Sequence, residues 1–432
     1  MHNSKKMKKV AFIYVIPPVT KSVYTGYHHG LASLSAVLKR SLKTSNRLFI
    51  LEKSCITKMS MDLKDFGPEL VLVTSCSGQI QLAKAFLEAY QKSCRKPFVI
   101  VGGPHATALP EETLRIGGVD SVCVGEGEAA VADFAPKFFS NENYTETPGL
   151  WFKTPDKNII RNDPSPFLHP DDLPFPDREL FDFQSFINAM PHEVGPEFMG
   201  SRGCVFNCSY CATGKIHGAG VRLRSPGKLI QEIRSVTESY SGIKIIGFHD
   251  NIFTLDKEWL REFCERYRKE VAIPYWCNTR VDCLTEDDVK WLKRSKCRRI
   301  HMGIESGSER IRRDILGRFI SNRSIQEAFQ CVKRHGIKAV AFNMIGLPTE
   351  TEDDIMETIL LNRAIRPSWI ILSIFQPYPG TDIYPFCVKK PGVSEGASED
   401  YYSCQKILEQ TSVSTEKVKY YFSRFIPQVY DS

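Results

Sequence analysis

The sequence predicts an α/β protein in two parts, a parallel sheet with helices on both faces followed by a partial barrel of six βα units. Three observations predict it: short apolar runs alternating with amphipathic stretches over residues 9–140, a proline-rich interruption over 154–196, and a second alternation from about 197 onward. A chain of 432 residues is also too long for one ordinary core, so two domains are expected.

In the first part, "KVAFIYVI", "RLFILE", "ELVLVTSC", "PFVIVGG" and "SVCVGEG" read as five parallel strands. The helices between them are "GLASLSAVLKRSL", "QLAKAFLEAYQKS", "PEETLRI" and "EAAVADFAPKFF". In such a sheet ligands bind outside the carboxyl ends of the strands. The loops there, "PPVTKSVYTGYHHG", "TSCSGQ", "GGPHATALP" and "GEGE", are rich in Gly, Ser and Thr and poor in ionisable groups. They suit a large neutral or amide-bearing ligand held by backbone, not acid–base chemistry. No GxGxxG fingerprint follows the first strand, which argues against a nicotinamide cofactor.

Residues 154–196 hold eight prolines and little periodicity. A linker over 151–196 therefore divides a first domain, 1–150, from a second, 197–384. Strands of the second domain are "EFMGSRG", "IKIIGFHD", "IPYWCNTR", "RRIHMGIES", "KAVAFNMIGL" and "WIILSIFQPYPG", with helices near 226–240, 255–270, 285–295, 321–335 and 351–365. Six units make a partial barrel rather than a closed eight-fold one. Residues 385–432 read as one or two helices able to close it.

Composition is that of a soluble globular chain, 42% hydrophobic and 25% charged, and no run approaches the ~20 apolar residues of a membrane span, so no membrane partner is expected. The start "MHNSKKMKKVAFIYVIPP" is basic then apolar, but Pro17 and Pro18 end the run and no small-residue cleavage site follows, as in a first strand rather than a secretion signal. Net charge is +7, with four of the charges in "KKMKK" and no basic stripe elsewhere, so no nucleic-acid partner is expected. Of fourteen cysteines, several, such as Cys76, Cys123 and Cys277, lie inside apolar runs and read as reduced core thiols of a cytoplasmic protein.

Three cysteines depart from that pattern. "SRGCVFNCSYCATG", residues 201–214, delivers Cys204, Cys208 and Cys211 in the loop after the first barrel strand, on the face where βα barrels carry their active sites. Structural zinc needs a fourth ligand, and His217 stands at a spacing that fits no zinc finger. Three thiolates with one coordination position left over suit a [4Fe-4S] cluster better.

The CxxxCxxC spacing with Tyr210 before the last cysteine resembles the radical S-adenosylmethionine superfamily. The resemblance implies that the amino and carboxylate groups of S-adenosylmethionine chelate the free iron. One electron, from a donor such as flavodoxin or ferredoxin, then cleaves the sulfonium to a 5'-deoxyadenosyl radical. "FHDN" follows the second strand at the superfamily's amino-group-binding segment, with His249, Asp250 and Asn251 in place of the usual Gly-Gly-Glu. "NTR" with Asn278 and Arg280, "GIESGSE" with Glu305 and Ser306, and "NMIGLPTE" with Asn343 and Gly346 follow the next three strands. With Tyr210 and Arg318 these look like the superfamily's S-adenosylmethionine contacts.

A flavodoxin-like domain joined to such a barrel by "LPFPDRELFD" resembles the cobalamin-binding subgroup, carried by "GLASLSAVLKR", "VGGPHAT", "LPEETL" and "VGEGE". That resemblance implies a corrin across the carboxyl edge of the sheet, contacted by Ser75, Ser77, Gly102, Gly103, His105, Ala106, Gly125, Glu126 and Gly127. "TGYHHGLAS" has Gly26 where the cobalt-ligating motif DxHxxG has Asp, so cobalt is expected to lack a histidine ligand. His28, His29 and His105 then read as loop hydrogen-bonders.

The function implied is methylation of an unactivated carbon, or of phosphorus, in a small molecule or peptide, with a first S-adenosylmethionine methylating cob(I)alamin and a second supplying the radical. The alternatives are a non-methylating enzyme using the same cofactors for ring formation, ring contraction or oxidation, and a non-catalytic iron or cobalamin sensor. A transfer-RNA methylthiotransferase is disfavoured, because no second cluster trio and no basic C-terminal module is present. No catalytic acid or base is singled out.

Overall fold

The computed structural model describes residues 7–16, 27–91, 97–156, 158–191, 193–388 and 412–431. It divides into two compact units, Met1–Phe186 with Lys215–Gly218, and Ile187–Gly214 with Ala219–Ser432.

The first unit is built on a seven-stranded sheet. Its strands are β1 (Lys8–Val15), β2 (Thr44–Leu51), β3 (Leu70–Thr74), β4 (Phe98–Gly102), β5 (Ser121–Cys123), β6 (Leu150–Lys153) and β7 (Ile159–Arg161), in the order β2-β1-β3-β4-β5-β6-β7. The five expected strands are parallel, and the order of the first five is the flavodoxin-like one. Apolar side chains bury both faces: Ile13, Val73, Val101 and Phe86 lie in one core cluster and Phe12, Leu72, Ile100 and Phe134 in the other.

Two differences from expectation have local causes. The stretch read as linker from 151 opens with a hairpin, β6–β7, that extends the sheet antiparallel, and Phe152 packs against Phe98 and Phe134. Runs of three and four residues around Pro155 carry too little alternation to be read as strands. A helix over Ile56–Phe66 was also not expected; it buries only Met59 and Leu63, one turn apart, yet a parallel crossover from β2 to β3 needs such an element. Farther along the same stretch, Asp177 is tied to the helix His29–Ser41. Its backbone N–H donates to Ala32 O at 3.0 Å, and its carboxylate accepts from Ser35 Oγ at 2.5 Å and pairs with Lys39 Nζ at 2.9 Å.

In the second unit, β8 (Glu197–Phe198), β11 (Ile246–Phe248), β12 (Tyr275–Thr279), β13 (Cys297–Glu305), β14 (Lys338–Ile345) and β15 (Trp369–Ile374) form one parallel sheet in sequence order. Five helices between them, Pro226–Ser239, Lys257–Glu270, Glu286–Arg294, Asn322–Arg334 and Glu352–Ile365, start where the sequence places them. Each begins after a side-chain cap, Ser225, Asp256, Thr285, Ser321 or Thr351, whose oxygen accepts from a backbone N–H of the first turn. The first strand differs: only two residues join the barrel, and β9 (Ser201–Cys204) pairs antiparallel with β10 (Gly220–Leu223). Gly203 at φ 91° is the reason, since a Cβ there would lie 2.3 Å from Gly220 O. The described part of 385–432 is not an appendage. Thr415–Tyr430 packs Val418, Phe425 and Val429 against Ile355, Ile359, Leu372 and Ile374, the place of the sixth barrel helix.

Candidate active site

The loop after β9 and the carboxyl ends of β11 to β14 enclose a cavity of about 250 Å³. Cys204, Cys208 and Cys211 line it, with Tyr210, His249, Asp250, Asn251, Asn278, Arg280, Glu305 and Arg318. Of the ten S-adenosylmethionine contacts expected from sequence, seven therefore reach one cavity: Tyr210, Asp250, Asn251, Asn278, Arg280, Glu305 and Arg318.

Ser306, Asn343 and Gly346 do not line it. Along β14 the side chains alternate, and Phe342 faces the cavity while Asn343 points outward, its amide donating to Asn362 Oδ1 at 3.3 Å and accepting from Asn362 Nδ2 at 2.9 Å. Ser306 Oγ lies 3.3 Å from Thr358 Oγ1 and accepts from Ser308 N at 3.2 Å, bracing the turn below the strand end. Gly346, at φ 78°, donates its N–H to buried Glu350 at 2.6 Å. All three hold the barrel wall.

The cysteine loop is bolted down by a residue that sequence did not single out. Ser209 donates its N–H to Leu316 O at 3.1 Å and its hydroxyl to Ile315 O at 2.6 Å, while its carbonyl accepts from Ile383 N at 2.9 Å. Leu316 ends a π-helical turn, Ile311–Ile315, which brings Gly317 and Arg318 back toward the loop.

Arg318 is the hub. Its Nη1 donates to Tyr210 Oη at 3.2 Å and lies 3.7 Å from Glu305 Oε1, and its Nη2 donates to Gly303 O at 2.7 Å. Burial opposes its charge, but Tyr210 and Glu305 more than offset that and hold its pKa above the ordinary arginine value. Burial pushes the Glu305 carboxyl up, against the pull of Arg318, and raises the Tyr210 phenol well above its usual range. Glu305 stands at φ 69° beside a register shift in β13, a strained backbone for a residue with a Cβ. Gly303 makes room for its carboxylate, since a Cβ there would come within 2.3 Å of Glu305 Oε1.

Asp250 is fully buried and turns toward the loop before the cysteines. It accepts from Gly200 N at 3.0 Å and Ser201 Oγ at 2.5 Å, and burial lifts its carboxyl to about 6. Asn251 donates to Gly203 O at 2.9 Å and Asn278 to Asp250 O at 3.3 Å. Sequence also missed His301. Its ring stacks on Trp276 at 4.8 Å and meets Phe342 edge-on, giving the cavity an aromatic wall; burial, then the charges of Arg299 and His249, lower its pKa to about 3.

Among the described residues no three His, Cys, Asp or Glu side chains stand close enough to hold one metal ion. A single zinc draws its thiolates to about 3.8 Å apart at Zn–S bonds of ~2.3 Å. A trio lining a wider cavity fits instead a cluster in which each thiolate holds its own iron.

In the first unit the predicted corrin residues sit on the carboxyl-end loops of β3, β4 and β5. Gly103 has φ 96°, and a Cβ there would lie 2.9 Å from Ser75 O and Thr74 Oγ1; Gly125 has φ 85° and donates to Thr107 Oγ1 at 3.0 Å. Gly102 and Gly127 pack against Cys123 and Leu34, Ala106 is buried, and Glu126 pairs with His217 at 2.6 Å. His105 is buried; its Nδ1 lies 3.0 Å from Ser77 Oγ, and its Nε2 has no partner among the described residues. A buried orphan nitrogen among glycine-rich loops fits a ligand bearing amide groups. His28 caps the helix His29–Ser41, its Nδ1 accepting from Leu31 N at 3.2 Å, and burial lowers its pKa to about 4. His29 packs its ring against Tyr27 at 6.3 Å.

Fold and sites together define a two-part α/β protein, a flavodoxin-like unit and a partial βα barrel with a three-cysteine cavity at its strand ends. Two family models match, the Radical SAM superfamily over residues 199–361 and the B12 binding domain over 17–135. The chain is a radical S-adenosylmethionine superfamily enzyme with a B12-binding domain, and its cofactors are S-adenosylmethionine, a [4Fe-4S] cluster and cobalamin.

Among curated proteins it is 28% identical to an uncharacterized methyltransferase of Pyrococcus horikoshii, over 88% of this chain and 84% of that one. It is 23% identical to the anaerobic magnesium-protoporphyrin IX monomethyl ester cyclase of Rubrivivax gelatinosus, over 73% of this chain and 58% of the longer cyclase. Among solved structures the fold matches the radical S-adenosylmethionine methyltransferase TsrM of Kitasatospora setae at a TM-score of 0.70 and 14% identity, over 88% of this chain and 75% of that one. The cobalamin-dependent enzyme OxsB matches at 0.67 and 16%, over 98% and 62%.

Proposed function

We propose that this enzyme is a methyltransferase that places a methyl group on an unactivated carbon, or on phosphorus, of a small molecule or peptide. The observation that carries the reading is one cavity lined by Cys204, Cys208 and Cys211 together with the Arg318–Tyr210–Glu305 network, in a chain that also holds a B12-binding domain. The methyltransferase relative over most of both chains supports it. When bound, the cluster and S-adenosylmethionine supply one-electron chemistry and cobalamin a transferable methyl group.

The chain's own residues hold and orient. The three thiolates ligate iron, and Ser209 and Asp250 fix the two ends of the segment that bears them. Glu305 and Arg318, held rigid by Tyr210, Gly303 and the bulge in β13, present a carboxylate and a guanidinium to the polar groups of S-adenosylmethionine, with Asn251 and Asn278 beside them. His301 and Phe342, with Trp276 stacked on His301, form an aromatic wall that keeps water from a reactive intermediate. In the first unit, His105 Nε2 and the loop glycines meet the amide-rich corrin.

The test is incubation of the anaerobically loaded enzyme with methyl-labelled S-adenosylmethionine, a one-electron reductant and candidate substrates. Label in a product supports methyl transfer. A substrate converted without label favours the second reading, a non-methylating ring-forming or oxidising enzyme, for which the similarity to the cyclases speaks.

A further inference from the structure

The three cysteines of the cavity are not equivalent. Cys211 is exposed and donates to Thr213 Oγ1 at 3.2 Å, whereas Cys208 is buried and lies under two guanidinium groups. Arg280 Nη1 donates to Cys208 Sγ at 3.3 Å, and Arg318 Nη1 lies 4.0 Å from the same sulfur.

Arg280 cannot turn away from that sulfur. Its Nε and Nη2 each donate to one oxygen of Asp282 at 2.9 Å, a two-pronged pair that fixes the plane of the group, and the guanidinium carbon lies 3.6 Å from the centre of the Phe206 ring. The side chain is 9% exposed, so water does little to screen its charge. Three of its five N–H donors are committed to Asp282 and Cys208, which leaves two for S-adenosylmethionine, the contact that its place after the third barrel strand suggests.

We propose that Arg280 is a tuning residue of the cluster: its hydrogen bond withdraws charge from the Cys208 sulfur and makes the cluster easier to reduce than the same cysteine ligation without it. Hydrogen bonds to ligand sulfurs and nearby charge are among the determinants of iron–sulfur potentials, and a cation stabilises the form carrying the extra electron. Asp282 opposes the effect, because its carboxylate cancels part of the guanidinium charge. The two side chains therefore act with opposite signs. The inference rests on the reading that the trio ligates a [4Fe-4S] cluster.

The experiment is a potentiometric titration of the full, anaerobically loaded chain with a low-potential one-electron reductant such as titanium(III) citrate. The reduced cluster is followed by electron paramagnetic resonance and iron is quantified in every sample. Arg280→Gln is expected to retain iron and to lower the reduced-to-oxidised ratio at a fixed potential about tenfold, or ~59 mV for a one-electron couple. Asp282→Asn is expected to move the midpoint upward. An iron-replete Arg280→Gln with an unchanged or raised midpoint overturns the proposal. If Arg280→Gln loses its iron, Asp282→Asn decides alone, and an unchanged or lowered midpoint there overturns it. Native chain that holds no [4Fe-4S] signal overturns the cluster reading itself, which separates that failure from failure of the tuning.

Discussion

The carboxyl-end loops of the flavodoxin-like sheet and the barrel cavity are built by opposite means. In the first unit the loops bring backbone close to backbone through Gly103 and Gly125, and the polar atom without a partner among the described residues is His105 Nε2, on a ring whose pKa burial lowers. In the second, Arg280, Arg318, Glu305 and Asp250 are buried charges or shifted acids, each locked by specific partners. A large neutral ring with amide arms needs shape and backbone donors. A small zwitterion beside a charged cluster needs preorganised charge, which costs desolvation and demands exact partners.

The largest effect separates the units outright. Replacing Cys204, Cys208 and Cys211 with Ala is expected to abolish iron content and 5'-deoxyadenosine formation while the corrin spectrum of the purified protein stays. Persistent 5'-deoxyadenosine would sink the assignment of the trio. The mirror experiment is Gly103→Val, which forces a Cβ against Ser75 O and Thr74 Oγ1 in a left-handed backbone. Corrin retention should be lost with iron unaffected; loss of both cofactors together would mean that the two sites are not separable.

Next in size is the charge network. Arg318→Gln or Glu305→Gln is expected to weaken S-adenosylmethionine binding by roughly 10- to 100-fold, the range for hydrogen bonds to charged groups, with iron near normal. Calorimetric affinities equal to wild type in both variants would return the pair to a purely structural role.

Glu350 gives a pH signature that only the charge-bearing unit should show. Burial lifts its carboxyl from 4.5 to about 8, against the N–H groups of Leu347 and Gly346. Between those values the folded state binds a proton that the unfolded chain has released, so stability falls as pH rises, by roughly 1.4 kcal/mol per unit for this group. Thermal melts of Glu350→Gln at pH 5.5 and 8.5 should differ less than those of wild type; an identical pH slope would show that Glu350 is ionised throughout. Smallest is His28→Ala, which removes a helix cap at a cost of about 1 kcal/mol and should leave the corrin spectrum unaltered. A changed spectrum would make His28 a cobalt ligand.

Sequence carried most of this because strand ends and motifs coincide. The trio, "NTR" and "GIES" lie at the ends of apolar runs, and such ends face a barrel's mouth, which is why Asn278, Arg280 and Glu305 were found. What it could not carry was side-chain direction within a strand end. Asn343 and Phe342 are neighbours of opposite facing, and the shift in β13 at Gly303 to Glu305 resets the alternation just where Ser306 was read as a contact. His301 was hidden for the same reason, four residues before Glu305 in a run that reads as core. Ser209 was illegible because its partners, Ile315 and Ile383, are remote in sequence and are backbone carbonyl or N–H groups.

The caps that start the barrel helices have a consequence of their own. Ser225, Asp256, Thr285, Ser321 and Thr351 begin helices that each follow a strand's carboxyl end, so five helix amino termini belong to the carboxyl-end side of the barrel sheet. Aligned peptide dipoles leave about half a positive charge at each such terminus. At three of them carboxylates in the cap or first turn, Asp256 with Glu258, Glu286 to Asp288, and Glu352 to Asp354, offset that charge, whereas the helices begun by Ser225 and Ser321 have no acid in the first turn and keep a positive end that no first-turn side chain titrates.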